Sequence, residues 1–453
     1  MAKAKSNSKK ITLEESLVPV EEQPYEVPEN WCWVKHNSIL DISGGSQPAK
    51  SHFIAEPREG YTQLYQTRDY GEHPIPVYIP NKYATKTTCE GDILLARYGG
   101  SLGKVFRAHD GAYNVALTKV IKIYPELIDD EFLYKYYLSQ FYQNFCIKAS
   151  NGRSAQAGFN RDDMNSLPFP LPPLAEQKRI VDQIESLFSK LDEANEKAQE
   201  VIDRIETNIE AILYNAFSGK LTQYWRKENG VNYNWEKSTL SKIVSGLKYG
   251  SSEKSDYNNN GTPVLRIPNI GEGVIDFSDL KYMQGEFENS SHEVFENDIL
   301  IIRSNGSRDL VGKCAIVPAL DRRFAYASFL IRIKASDKVL PNYLVRYINS
   351  SMARGQLFAK AKSSSGIHNI NSKELGGIRI DVPTIEEQTE VLKIIEPLIK
   401  KELDVKDITS HMIENIAELK KSILAKAFRG ELGTNVSLEE SSIELLKKMI
   451  EEG

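Results

Sequence analysis

The sequence predicts a mixed α/β protein with two globular domains, each followed by a long helix, in which the two helices pair as an antiparallel coiled coil. An internal repeat is the first observation behind this prediction. Pro-Pro-Leu-Ala-Glu-Gln at 172–177 returns as Pro-Thr-Ile-Glu-Glu-Gln at 383–388, and Ala-Phe-Ser-Gly-Lys-Leu at 216–221 returns as Ala-Phe-Arg-Gly-Glu-Leu at 427–432, in both cases 211 residues later. Equal offsets indicate one rigid element between these landmarks in each copy rather than a loop-bearing domain.

The periodicity between the landmarks is the second observation. Apolar residues recur at alternating spacings of four and three in the first copy (Ile180, Ile184, Leu187, Leu191), until Asn208 interrupts them. The second copy follows the same spacing with Val391, Ile395, Leu398, Val405, Met412, Ile416, Leu419 and Ile423, broken by Glu402 and Thr409. Because this spacing is typical of coiled coils, each copy predicts a helix of roughly 44 residues, about 66 Å long. Such a helix could dock on another subunit, but two of equal length in one chain favour pairing with each other.

The blocks before the helices also correspond. Asn30-Trp31 matches Asn234-Trp235, and Glu90-Gly-Asp-Ile-Leu94 matches Glu296-Asn-Asp-Ile-Leu300. β-branched runs at 119–123 and 330–334 predict strands, and 132–137 and 343–348 predict short helices. The predicted organisation is an N-terminal tail (1–27), a first domain (28–173), a first long helix (174–219), a second domain (220–383), a second long helix (384–432) and a short C-terminal helix or tail (433–453). Ser437–Glu440 has the spacing of a capping box for that last helix.

Composition excludes several classes of protein. With 41% hydrophobic and 26% charged residues, the 453-residue chain is neither disordered nor collagen-like. It contains no apolar run of the roughly 18–20 residues that span a bilayer. Its four cysteines form no Cys-x-x-Cys pair, which argues against zinc and disulfides and favours a reducing cytoplasm. The net charge is −5, yet residues 31–170 hold 15 Lys+Arg against 14 Asp+Glu, and residues 220–383 hold 23 against 17. Two neutral-to-basic blocks are therefore compatible with a polyanionic partner.

The chain resembles the specificity subunit of Type I restriction–modification enzymes over residues 28–432. The resemblance rests on the order of the segments, on Pro-Leu-Pro-Pro-Leu-Ala-Glu-Gln-Lys-Arg-Ile at 170–180, and on the second Glu-Gln at 387–388, where Thr384 and Ile385 replace Pro-Leu. It implies two target-recognition domains that each read one half of a split DNA site, with a coiled coil that sets the gap. It also implies a subunit without catalysis of its own, which binds two adenine methyltransferase subunits and motor-nuclease subunits. S-adenosylmethionine, ATP and magnesium are then expected on those partners.

The repeat supports this resemblance independently. Two like domains joined by a helix that folds back antiparallel are related by an approximate two-fold axis, which matches the two-fold relation of the strands of duplex DNA. Because the two domains differ in sequence, an asymmetric bipartite target is expected. A protein-binding scaffold with two spaced modules is the alternative, and a nucleotide-dependent enzyme is a third.

Polar loops at three matching places in both domains are the predicted DNA contacts. The predicted residues are Gln47, Lys50, Arg97, Ser101, Lys104, Asn151, Arg153, Ser154 and Gln156 in the first domain, and Lys248, Ser251, Lys254, Arg303, Asn305, Arg308, Ser364, Ser365, His368 and Asn369 in the second. Arg and Asn side chains suit guanine and adenine edges. The turn at 99–104 offers N–H groups and Lys104 to a phosphate. The alternative is a solvated loop at each place, or a plain strand-joining turn at 99–104.

Motifs for catalysis are missing from the sequence. Gly99–Lys104 has one residue too few for a Walker loop, and Val105 stands where Ser or Thr would bind magnesium. The sequence contains no Asn-Pro-Pro-aromatic tetrapeptide and no His-Glu-x-x-His. Its seven histidines are scattered. The sequence therefore predicts neither a catalytic nor a metal site in this chain.

Overall fold

The computed structural model describes residues 11–151, 158–284, 292–360, 362–364 and 367–452. The chain divides into two compact units. Unit 1 comprises the residues up to Lys197 together with those from Met412 onward, and unit 2 comprises Ala198–His411. Each unit therefore contains one globular domain and a part of both long helices. Among the described residues, no helix is long and apolar enough to cross a membrane.

Unit 1 begins with short elements and then builds two four-stranded sheets. Its elements are α1 (Leu13–Ser16), β1 (Cys32–Lys35), α2 (His36–Ile39), β2 (Leu40–Gly44), β3 (Tyr61–Tyr65), β4 (Tyr78–Pro80), β5 (Thr87–Thr88), β6 (Ile93–Ala96), β7 (Val105–Arg107), β8 (Gly111–Tyr113), β9 (Leu117–Lys122), α3 (Asp130–Leu138), α4 (Gln140–Ser150), α5 (Arg161–Asn165), β10 (Pro168–Leu171) and the first long helix α6 (Leu174–Phe217). The strand orders are β2-β9-β6-β7 and β4-β3-β8-β5, and β1 pairs with β10.

Unit 2 repeats this plan with additions. Its elements are α7 (Gln223–Glu228), β11 (Glu236–Thr239), α8 (Leu240–Ile243), β12 (Val244–Tyr249), β13 (Ser255–Asp256), β14 (Gly261–Leu265), β15 (Gly273–Val274), β16 (Lys281–Gln284), β17 (Glu293–Val294), β18 (Ile299–Ile302), β19 (Ser304–Asn305), β20 (Cys314–Ile316), β21 (Phe324–Tyr326), β22 (Leu330–Ala335), α9 (Pro341–Asn349), α10 (Ser351–Lys360), β23 (Lys362–Ser364), β24 (Ile367–Asn369), α11 (Ser372–Gly376), β25 (Arg379–Val382) and the second long helix α12 (Ile385–Phe428).

The sheets of the two units correspond strand by strand. In unit 2 the orders are β12-β22-β18-β20-β15 and β13-β16-β14-β21-β17, so each sheet gains one edge strand over its counterpart. A further sheet, β19-β24-β23, joins two loops of unit 2. The strands and short helices that the sequence predicts are confirmed as β9, β22, α3 and α9. The mixed α/β class with a long helix after each domain is confirmed as well.

The long helices pack antiparallel within each unit. In unit 1, Ile180 and Ile184 of α6 share a core with Leu424 and Phe428 of α12. In unit 2, the other ends meet, because Leu213 and Phe217 share a core with Val391 and Ile395. Asn208, which interrupts the apolar pattern, donates to Glu402 Oε1 at 3.3 Å, so two of the seam-breaking residues pair with each other.

The predicted contact face of α12 is partly wrong. Four residues assigned to the seam are exposed by 37–50%, namely Leu398, Val405, Met412 and Leu419. The predicted seam residues Val391, Ile395 and Ile416 are buried as expected, whereas Ile399, Thr409 and Leu424 are buried without having been predicted. An α-helix has 3.6 residues per turn, so a strict seven-residue repeat drifts around a straight helix. Apolar residues on α12 therefore form two neighbouring stripes, of which one is buried.

The repeated Glu-Gln pair joins each domain to its helix in the same way. Glu176 accepts a hydrogen bond from the indole of Trp31 (2.7 Å), and Glu387 accepts one from Trp235 (3.0 Å). Each glutamine side chain bridges the backbone. Gln177 accepts from Asp129 N and donates to the Leu127 and Pro172 carbonyls, while Gln388 accepts from Leu340 N and donates to the Lys338 and Pro383 carbonyls. Because both residues are buried and bonded to other segments, insertions here would break several contacts at once.

The C-terminal helix α13 (Ser442–Glu452) belongs to unit 1. The predicted capping box at Ser437–Glu440 is wrong, since the helix begins five residues later. Glu439 instead forms a bidentate pair with Arg179 at 2.8 Å for both contacts. Leu446 is fully buried in the unit 1 core, so α13 packs back on its own chain.

Candidate nucleic-acid interface

The strands β6 and β18 lead into the candidate site of each unit. A tight turn before each strand is held by an aspartate, because Cys89 N donates to Asp92 at 2.7 Å and Phe295 N donates to Asp298 at 2.9 Å. The intervening Gly91 and Asn297 have φ values of 85° and 67°. Glycine and asparagine tolerate this left-handed backbone best. The matching Glu-Gly-Asp and Glu-Asn-Asp motifs therefore fix how β6 and β18 enter the sheet.

Electrostatics beneath this turn differ between the units. Burial raises the pKa of Asp298, although Arg332 lies 3.6 Å away and opposes the shift. Its counterpart Asp92 pairs with Lys119 at 2.5 Å, and both of those side chains are partly exposed. The turn aspartate thus faces a cation at the matching strand position in both units, Lys119 or Arg332, while the burial of the pair differs.

In unit 1, described segments from distant parts of the chain meet at Arg97, which directly follows β6. Arg97 O accepts from Phe159 N at 3.1 Å, and Arg97 N donates to Ala116 O at 3.0 Å. Gly158 approaches so closely that a Cβ there would lie 2.2 Å from Arg97 O, so only glycine fits. The end of β2 also lies beside Arg97, since a Cβ on Gly44 would be 3.4 Å from Arg97 Nη1.

The glycine-rich turn at 99–104 joins antiparallel strands β6 and β7. Gly103 N donates to Ala96 O at 3.0 Å, and Gly312 N donates to Ile302 O at 2.8 Å in unit 2. Both glycines have positive φ, 80° and 86°. The turn is thus the strand-joining turn considered as the alternative in the sequence. Lys104 is exposed at its end, so a phosphate contact by this lysine stays a prediction.

In unit 2 the equivalent residue is Arg303, and the sheet β19-β24-β23 brings two predicted loops together. Ser304 pairs with Asn369 and Asn305 with His368. The Arg303 guanidinium donates to Asn369 Oδ1 and to Ser328 O, each at 3.3 Å, and lies 4.6 Å from the centre of the Tyr249 ring. Ile370 N donates to Arg303 O at 2.8 Å, as Phe159 N does to Arg97 O.

The remaining predicted residues occupy varied positions. Gln47, Lys50, Asn151, Lys248, Lys254 and Arg308 are exposed, Ser101 is half-buried, and Ser364 lies in β23. Ser251 is only 5% exposed and accepts from Glu253 N, and Asn305 Oδ1 accepts from Ser307 N. Both side chains therefore serve their own turns. Arg153, Ser154, Gln156 and Ser365 lie outside the described residues.

The sequence reasoning missed two kinds of residue near these loops. Arg161, at the start of α5, lines the same cavity as Arg97. In unit 2 the second sheet carries cations over aromatic rings, with Lys281 4.8 Å from the Tyr257 ring and Arg322 6.0 Å from the Tyr282 ring. Basic residues close to tyrosines in the sequence could have indicated these positions. Such pairs can contact the phosphates and stack on the bases of a nucleic acid.

The comparison with known proteins now identifies the class. The family model described as "Type I restriction modification DNA specificity domain" matches residues 28–204 and 232–414, well over half of the chain. The chain belongs to this family. It is a DNA sequence-recognition subunit with two domains, and the scaffold alternative is not favoured. Specificity subunits are the non-catalytic parts of Type I restriction–modification complexes.

Relatives match along nearly their whole length. The EcoKI specificity subunit of Escherichia coli (strain K12) is 27% identical over 456 residues, covering 94% of this chain and 96% of that protein. The MjaVIII specificity subunit of Methanocaldococcus jannaschii is 25% identical over 418 residues, covering 90% and 94%. A solved chain described under "Structural basis underlying complex assembly and conformational transition of the type I R-M system" has a TM-score of 0.68 at 20% identity, covering 90% of this chain and 100% of that one. This last likeness supports the fold.

Proposed function

We propose that each domain reads one half of an asymmetric bipartite site in duplex DNA, and that the two long helices fix the gap between the halves. One observation carries this proposal. In both units an arginine at the end of the same strand, Arg97 or Arg303, lies where segments from distant parts of the chain meet. The backbone contacts around the two arginines are the same, whereas the side chains of the surrounding loops differ. Two half-sites of different sequence require this combination.

The chain then directs the chemistry of partner subunits and contributes no catalysis itself. Two adenine methyltransferase (modification) subunits and motor-nuclease (restriction) subunits complete the complex, in the cytoplasm, where it defends against phage. S-adenosylmethionine, ATP and magnesium bind to those partners.

The exposed stripe of α12 is a suitable docking face for a modification subunit. Leu398 and Val405, seven residues apart, are 42% and 37% exposed, and Ile408 is 71% exposed. Exposed apolar residues at heptad spacing favour packing against a further helix. Ile408→Ser should reduce co-purification of the modification subunit, whereas Asp407→Ser, at the neighbouring exposed position, should not. Equal co-purification of both variants would contradict this docking face.

An exchange of domains tests the reading function. Replacing residues 31–170 with the equivalent domain of a relative should change one half of the methylated site, as mapped by methylation sequencing of a host that carries the system. Replacing residues 220–383 is the matched experiment and should change the other half. A change in both halves, or in neither, would contradict the assignment of one domain to one half-site.

A further inference from the structure

The arginines Arg97 and Arg303 have equivalent backbones but different surroundings. Each amide donates to the residue before a matched strand, Ala116 before β9 or Phe329 before β22, at 3.0 Å in both units. Each carbonyl accepts from the residue two positions before a short helix, Phe159 or Ile370. Side chains at matching positions around the two arginines can therefore be compared directly.

Around Arg97 the structure leaves a cavity of about 120 Å³. Its lining comprises Ile42, Gly44, Arg97, Thr118, Phe159, Asn160 and Arg161. Gly44 pairs with Thr118 across the sheet, and a Cβ on Gly44 would lie 3.4 Å from Arg97 Nη1. A side chain at position 44 would thus extend over the guanidinium, and glycine keeps this space open.

In unit 2 the matching space is filled. Tyr249 takes the register position of Gly44, because it pairs with Ile331 as Gly44 pairs with Thr118. Its ring lies 4.6 Å from the Arg303 guanidinium carbon, and its hydroxyl accepts from Ser372 N at 2.9 Å. Ser372 is the first residue of α11, as Arg161 is of α5, so unit 2 also lacks the second cation.

We propose that the cavity between Arg97 and Arg161 binds a backbone phosphate of DNA, and that Gly44 keeps it open. The inference rests on the proposed DNA-reading function of the first domain. Arg97 Nε is buried and has no hydrogen-bond partner among the described residues. Arg161 pairs with Asp41, which leaves two guanidinium groups against one carboxylate. A guanidinium fork matches the geometry of phosphate oxygens.

The shape of the site favours a phosphate over a base edge. Phosphates project from the surface of the duplex, whereas base edges lie within the grooves and are read by side chains that protrude. A recessed cavity receives a projecting group. Domain 2 presents Arg303 beneath a tyrosine ring instead, so the two domains hold their half-sites by different contacts at the same place in the fold.

Binding of duplex DNA by the full chain, assembled with its modification subunits, tests the proposal. Fluorescence anisotropy is measured over a range of salt concentrations for the cognate duplex and for one scrambled in the half-site of domain 1. Arg161→Ala should weaken both duplexes by the same factor, roughly tenfold, and should lower the salt slope by about 0.9. Gly44→Tyr, which copies the filled site of unit 2, should weaken both equally and leave the methylated sequence unchanged.

Lys197→Gln is the matched control, because it removes a 68% exposed cation that is paired with Glu193 on α6. It should leave affinity and slope near those of the wild type. If both Arg161→Ala and Gly44→Tyr bound DNA as tightly as the wild type, the phosphate site would be overturned. Because Arg161 is exposed, its replacement should not unfold the domain, so the affinity of Arg161→Ala can be interpreted directly. Loss on the cognate duplex alone, with a changed methylated half-site, would overturn it in favour of base reading. If the wild-type protein bound the cognate and the scrambled duplex equally well, the proposed reading function would be contradicted. An equal loss of affinity for both duplexes in Arg161→Ala would still support the phosphate site in that case.

Discussion

The buried glutamates at the starts of the two long helices should respond unequally to the same substitution. Glu387 is 1% exposed and forms an ion pair with Arg226, which is 7% exposed. Its carboxylate also accepts from Thr222 at 2.6 Å and from Trp235 at 3.0 Å. Glu387→Gln leaves the Arg226 charge buried without its counter-charge, and breaking a buried pair in this way costs about 3–5 kcal/mol.

Glu176 occupies the equivalent position with neutral donors. It accepts from Trp31 at 2.7 Å, Asn435 at 2.8 Å and Thr434 at 3.3 Å, while the nearby Arg179 pairs with Glu439. Glu176→Gln weakens hydrogen bonds but strands no cation, so a loss of about 1–2 kcal/mol is expected.

Hydrogen exchange of the full chain, followed by mass spectrometry in increasing urea, reports the free energy of opening around Trp31 and around Trp235 separately. The exposed neighbour Glu386 provides the control, since Glu386→Gln should leave both values close to those of the wild type. Equal losses for the two buried glutamates, or a larger loss for Glu176→Gln, would refute the reasoning.

Three further predictions concern the recognition loops, the effect of pH and the helix length. Arg308→Ala should weaken DNA binding by about 1–3 kcal/mol if this exposed residue reads a base. Replacing a lysine of the coiled coil should weaken binding much less. Equal losses of affinity in the two variants would contradict the assignment of Arg308 to the reading surface. Burial lowers the pKa of His36 to about 3, so below about pH 6.5 the unfolded chain takes up a proton that the folded chain does not, and the free energy of unfolding should fall by up to about 1.4 kcal/mol per pH unit between pH 6.5 and 3. Urea unfolding of His36→Gln should show a weaker dependence of this free energy on pH. The same pH dependence in the variant and the wild type would contradict this role of His36. Four residues inserted near Asn195 lengthen α6 by about 6 Å and rotate the part of the helix that follows them by one turn plus roughly 40°. Methylation mapping should then find both half-sites unchanged and the spacer one or two base pairs longer. An active variant that keeps the original spacing would show that the helix does not set the gap.

The repeat made the framework predictable from the sequence. The offset of 211 residues located both long helices, and the paired Glu-Gln motifs are the residues that tie each helix to its domain through Trp31 and Trp235. Such buried polar contacts need fixed residue types at fixed distances, so they leave a recognisable pattern. The turns that begin at Arg97 and Arg303 could be located for the same reason, because each follows a repeated strand.

Contacts between distant segments could not be predicted in this way. Gly44, Arg97 and Arg161 line one cavity although 53 and 64 residues separate them in the sequence. The start of α13 was misplaced because Glu439 pairs with Arg179, 260 residues away. The seam of α12 was misassigned because Leu398 and Ile399 are equally apolar, and only the position of α6 decides which of the two is buried.

Backbone contacts that are the same in both domains, together with side chains that differ, explain how a protein of this kind can change its contacts with DNA without losing its fold. The contacts that hold Arg97 and Arg303 in place are made by backbone atoms, at the amide and carbonyl of each arginine. Backbone contacts do not depend on the neighbouring side chains, so Gly44 and Arg161 in one domain can be Tyr249 and Ser372 in the other while the arginine keeps its position. The buried Glu176 and Glu387 are constrained differently, because their partners are side chains that must change together. Substitutions around the arginines should therefore alter DNA affinity at little cost in stability, whereas substitutions at the helix starts should lower stability.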